Sequence, residues 1–181
     1  MRRILLIMVL CLLAVASTGC KKARLRAQLK ELMSSTIVLP EKITCVYNGE
    51  VFPMPDSLQN RPKLIVYIDS TECTTCRISR FGAYRFLFDR ASQTGQISVC
   101  LLLANTSFGV IPLDRYLADR ELDFPVFIDE ENVFLKMNPL MAMDECFHSV
   151  FVDERGTPQI VGDPVVNDGV LSIYKEKYDI I

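Results

Sequence analysis

Cys73 and Cys76 close the segment Thr71-Glu72-Cys73-Thr74-Thr75-Cys76, a spacing that brings two thiols together across one helical turn. Such a pair serves one of three chemistries: reversible thiol–disulfide exchange, a structural disulfide, or half of a tetrahedral zinc site. Zinc needs four ligands. The chain has one histidine, His148, and no second Cys-x-x-Cys, so no metal and no cofactor beyond the cysteine pair is expected. Exchange needs an ionised thiol, and the sequence around the pair supplies a reason for one. Leu64-Ile65-Val66-Tyr67-Ile68 before it is a continuous apolar run, the mark of a strand buried on both faces. Ile78, Phe81, Tyr84 and Phe88 after it recur at intervals of three, three and four, one face of a helix. Cys73 would stand at a helix N-terminus, where unpaired N–H groups and the helix dipole lower a thiol pKa below ~8.5. Cys73 is then the expected nucleophile and Cys76 the resolving thiol. Arg77, next in sequence, adds positive charge, whereas Glu72 opposes ionisation.

The remaining cysteines are judged by the compartment the chain reaches. Arg2 and Arg3 precede an apolar run from Ile4 to Ala16, and Ser17-Thr18-Gly19 lead into Cys20. That is the layout of a signal peptide, and 13 apolar residues fall short of the roughly 20 needed to span a bilayer. Export places the chain where disulfides persist. Cys11 leaves with the signal, and Cys45, Cys73, Cys76, Cys100 and Cys146 remain beyond Cys20, an odd number that leaves at least one thiol unpaired. Cys100, inside a run of Val and Leu, is expected as a small buried hydrophobe; Cys45 is expected either in packing or in a second disulfide.

The elements that position the pair follow from periodicity and turn signals. Residues 21–33 are basic and helix-prone, and are expected to be a short helix or flexible stalk. Ile43–Tyr47 and Glu50–Phe52 flank Asn48-Gly49 and form a leading hairpin. Beyond the cysteine pair the expected order is a strand Ile97–Ala104, a helix Leu113–Leu122, a strand Phe124–Ile128 and a short helix Val133–Met137. A strand Phe147–Val152, a strand Gln159–Val161 and a helix Gly169–Tyr178 complete it. At 181 residues, half of them hydrophobic, the chain suits one core: signal 1–19, lipidated tether 20–40, domain 41–181. The net charge of −2 gives no electrostatic reason to expect nucleic acid or an anionic membrane as partner.

Strand, Cys-x-x-Cys and helix in this order resemble thioredoxin, and the flanking residues are similar to the TlpA-like and redoxin branch of that superfamily. Phe124-Pro125-Val126-Phe127-Ile128-Asp129 resembles the strand which that branch inserts, and Ser149-Val150-Phe151-Val152-Asp153 with Gly156 resembles its next strand and turn. Ser17-Thr18-Gly19-Cys20 resembles a bacterial lipobox, with Ser17 where leucine is usual. Together with Asp69-Ser70-Thr71, it is similar to thioredoxin-like lipoproteins of Bacteroidota-type bacteria. The resemblance implies a thioredoxin-like α/β fold: a central mixed sheet flanked by helices, with the leading hairpin and an inserted strand and helix. It implies lipidation of Cys20. Lys21 in place of Asp after that cysteine implies the outer membrane, facing the periplasm or the cell surface.

The implied activity is thiol–disulfide exchange on exported proteins or with a membrane redox partner. A non-catalytic accessory lipoprotein and a peroxiredoxin-type peroxidase stand as alternatives. Two family positions differ here. Tyr67 stands where thioredoxin has a buried proton-accepting Asp, which leaves water or Asp69 to take the proton of Cys76. Phe147 stands at the cis-proline position, which would set Cys146 and His148 beside the pair. A competing register, with Pro158 as that proline, leaves only 23 residues for the rest of the fold.

Overall fold

Asn48 and Gly49, at φ of 50° and 78°, turn the chain tightly and join strand β1 (Ile43–Tyr47) to β2 (Glu50–Pro53). Positive φ at both central residues matches the twist of a two-residue hairpin, which explains the Asn-Gly pair. The computed structural model describes residues 21–55, 58, 60–70, 76, 78–108, 111–120 and 122–178. The signal-peptide expectation, Cys20, Cys73 and Arg77 lie outside them.

Seven strands form one mixed sheet in the order β2-β1-β7-β4-β3-β8-β9. Its centre is β3 (Lys63–Ile68), buried at every position and parallel to β4 (Ser98–Ala104), which is in turn parallel to β7 (Val126–Asp129). On its other side β3 pairs antiparallel with β8 (Ser149–Val152), and β8 with β9 (Pro158–Val161). The hairpin joins through β1, antiparallel to β7.

Two cores follow from the alternation of side chains along these strands. Leu64, Val66 and Ile68 face one core, with Leu87 of helix α2 (Arg85–Thr94) and Tyr174 of α5 (Asp168–Tyr178). Leu113 and Leu117 of α3 (Leu113–Ala118) join them. Ile65 and Tyr67 face the other, beneath Phe134 of α4 (Phe134–Met137) and Leu32 of a helix over residues 21–32, here α1.

Four expectations are corrected by this packing. The tether is part of the domain: Leu32 is 0 % exposed and Ile37 is buried, so the boundary at residue 40 does not hold. The helix expected from Ile78 is broken by a 3-10 turn, Phe81–Tyr84, which contains Gly82, a poor helix residue. The strand expected from Phe147 starts only at Ser149, because Asp144 caps a 3-10 turn over Glu145–Phe147 by accepting from the Cys146 N–H. The helix from Leu113 stops at Ala118, and a small hairpin of β5 (Ser107–Phe108) and β6 (Ile111–Pro112) appears where no strand was expected.

Candidate functional site

Cys76 is exposed and disulfide-bonded, and it lies beyond the C-terminal end of β3. Its carbonyl accepts the Ser79 hydroxyl at 2.8 Å, and Ile78, two residues on, is buried in the first core. That anchor holds Cys76 at the rim while its neighbour packs inward. Cys45, Cys100 and Cys146 are free thiols, so the partner of Cys76 is none of these. Cys45 and Cys100 sit in the second core, and burial pushes both thiols up to about 12. A thiol held protonated at neutral pH neither attacks nor leaves readily, so these two are packing residues.

The same rim gathers part of the expected auxiliary set. The sheet register carries Val66 opposite Ser149, and the Tyr67 N–H donates to the His148 carbonyl at 2.8 Å one step further. Phe147 and His148 therefore lie at the C-terminal end of β3. Pro158 pairs with Val152, which faces Lys63 at the opposite end of the strand. Phe147 is 1 % exposed, a core side chain, and the described peptide bonds are all trans. His148 is buried, with its ring edge-on to Tyr67 at 5.8 Å.

Cys146 is exposed, but its thiol is pushed up to about 12, first by partial burial of the sulfur and then by the hydrogen bond and charge of Asp144. A third exchanging thiol was expected here; the Asp144 carboxylate works against it by keeping the proton on sulfur. The Asp69 Oδ1 accepts the Ser70 N–H at 2.6 Å and the Ser70 hydroxyl at 3.3 Å. Burial, followed by the charges of Asp129 and Asp69, raises the Tyr67 hydroxyl well above its ordinary value, so Tyr67 is no proton acceptor.

The loop between β9 and α5 completes the rim. Asp163 accepts the Tyr84 hydroxyl and the Val165 N–H, and Gly162 donates to the Ser149 carbonyl at 2.8 Å. This lashes the loop to the 3-10 turn and to β8. Val166 is left 73 % exposed between two cavities. One, about 520 Å³, runs along Ile68, Ser79, Phe81 and Val165; the other, about 320 Å³, is lined by Cys146, His148 and Asp163. In the sequence this loop is marked by Gly162-Asp163-Pro164, which cuts the last strand short.

A parallel β3-helix-β4 unit, an antiparallel β8-β9 pair on the other side of β3 and a C-terminal helix make this a thioredoxin-like α/β fold. No family model matches the chain, and no curated protein matches it. Among solved structures it is similar to the thioredoxin domain of a thiol-disulfide oxidoreductase from Bacteroides vulgatus. Identity there is 12 %, 77 % of this chain and 97 % of that chain are covered, and the TM-score is 0.45. A thioredoxin-like protein from Porphyromonas gingivalis gives 14 %, 82 %, 94 % and 0.43 in the same order. AhpC from Enterococcus faecalis gives 11 %, 82 %, 96 % and 0.47. The fold assignment rests on the strand order and directions.

Proposed function

We propose that the protein is a thiol–disulfide oxidoreductase whose redox pair is Cys73–Cys76, acting on the cysteines of exported proteins. The observation that carries the reading is Cys76: a disulfide-bonded, exposed cysteine beyond the end of the central strand, whose carbonyl is held by Ser79, a residue that lines a cavity with Ile68, Phe81 and Val165. In the reductive direction the Cys73 thiolate attacks a substrate disulfide, forming a mixed disulfide and expelling one substrate thiolate. Cys76 then attacks the Cys73 sulfur, closing the Cys73–Cys76 bond and releasing the second substrate thiol. Two electrons pass from the pair to the substrate, and a donor thiol restores the pair by the reverse exchange. Val165 and Val166 with Ile68 offer the apolar surface on which a substrate segment rests. With Tyr67 protonated, water or Asp69 takes the proton of Cys76. Lipidation at Cys20 would hold this domain at the outer membrane, facing the periplasm or the cell surface.

One observation favours the accessory reading. The backbone N–H groups of Cys146, Phe147 and His148 all bond within the 3-10 turn, to Asp144 Oδ1, the Asp144 carbonyl and the Glu145 carbonyl. They are not offered to a substrate strand, which weakens main-chain capture of a partner. Insulin reduction with residues 21–181 separates the two readings. Catalysed turnover that Cys73→Ser abolishes supports the oxidoreductase, and turnover no faster than dithiothreitol alone supports the accessory protein.

A further inference from the structure

Residues 21–33 carry five cations, Lys21, Lys22, Arg24, Arg26 and Lys30, against one anion, Glu31, in a chain whose net charge is −2. The charge of the whole molecule hides this local excess. All five cations are exposed. Helical spacing divides α1 into two faces. Leu25, Gln28 and Leu32, at i, i+3 and i+7, face the domain: Leu25 and Leu32 pack on the second core, and Gln28 Nε2 donates to Met143 Sδ at 3.3 Å. Lys22, Arg26 and Leu29, at i, i+4 and i+7, form the flank next to that face, with Lys30 further round the helix and Met33 in the turn that follows it. Leu29 is 37 % and Met33 36 % exposed. This flank thus sets cations beside two apolar side chains, on a helix whose inner face is fixed by the core.

We infer that this flank of α1 lies against an anionic lipid surface, with Lys22, Arg26 and Lys30 at the headgroups and Leu29 and Met33 entering the interface. Charge complementarity selects this occupant, since basic residues near a membrane each contribute through the negative surface potential and apolar neighbours add buried area. Packing sets the geometry. Because Leu32 is locked into the core, the helix cannot peel away as a free arm, and binding fixes the orientation of the whole domain on the bilayer. On its inner side the beginning of the described part of α1 lies against Met143 and Asp144, the turn that leads to Cys146 and β8. The contact does not depend on a lipid at Cys20, nor on the redox reading.

Co-sedimentation tests it with unlipidated residues 21–181, which hold all seven strands and both cores. Vesicles of phosphatidylcholine alone are compared with vesicles containing phosphatidylglycerol, at low and at physiological salt. The expected result is salt-sensitive binding to the anionic vesicles only, weakened about fivefold per charge removed in Lys22→Gln/Arg26→Gln/Lys30→Gln. The control Arg115→Gln/Lys136→Gln/Lys175→Gln removes three exposed cations elsewhere and should change binding less than twofold. Circular dichroism checks that both variants fold. Equal binding to neutral vesicles, equal loss in both variants, or no sedimentation would overturn the inference. So would self-association abolished by the α1 variant, which would assign the face to a second copy of the chain.

Discussion

The amide of Tyr67 donates to the carbonyl of His148 over 2.8 Å, one step past the last paired residues of β3 and β8. This bond sets which end of β8 stands beside the redox rim. It puts Phe147 and the Asp144-capped turn there, and leaves Pro158 at the far end of the sheet. The chemistry expected of Cys146 changes accordingly, because partial burial of its sulfur and then the Asp144 carboxylate keep the proton on the thiol.

Cys146 should react slowly despite its exposure. With its thiol pushed up to about 12, the thiolate fraction at pH 8 is only ~10⁻⁴, against roughly a quarter for a thiol at ~8.5. Asp144→Asn removes the hydrogen-bonding negative charge, lowers the thiol's value and speeds alkylation, though only in part, since burial of the sulfur is the larger cause. Iodoacetamide labelling followed by peptide mass spectrometry across pH 7–10 reads both. Rapid labelling of wild-type Cys146 at pH 7 would show that its thiol is not held protonated, and equal rates in Asp144→Asn that Asp144 plays no part.

Leu32→Ala should destabilise the domain by about 2–5 kcal/mol, the cost of emptying a closed core site. Urea unfolding of residues 21–181 measures it. A flexible stalk would lose nothing, so an unchanged midpoint would return α1 to the role of a tether.

Gly156→Ala should cost at least about 1–3 kcal/mol. The residue sits at φ +81°, an added Cβ would meet the Ile37 carbonyl oxygen at 2.5 Å, and its own carbonyl holds the Ile37 amide at 2.8 Å. The strain and the clash act together on the segment that follows α1. Protection of the Ile37 amide in hydrogen exchange should fall with the substitution; unchanged protection and stability would mean that this contact is not what docks the segment.

The sheet was legible where one signal dominated. Leu64–Ile68 could only be a buried strand, and Asn48-Gly49 could only be a tight turn, and both are observed. Boundaries shifted where a side chain competed with the periodic pattern. Asp144 drew Glu145–Phe147 out of β8, and Gly82 split the helix after the cysteines. The basic character of residues 21–33 masked Leu25 and Leu32, the two positions that pack it on the core. At the site, the pairing of Cys73 with Cys76 is read from local sequence. The tie between Tyr84 and Asp163 joins residues 79 apart and depends on the whole fold, so no spacing announces it.

The most direct test of the central claim is a redox titration of residues 21–181 in glutathione and dithiothreitol buffers, with Cys73 and Cys76 followed by alkylation and mass spectrometry. An exchange-active pair should titrate together as one two-electron couple between about −270 and −120 mV, the range of thioredoxin-like catalysts. A Cys76 disulfide that stays closed below about −300 mV, or that joins Cys76 to a residue other than Cys73, would contradict the account.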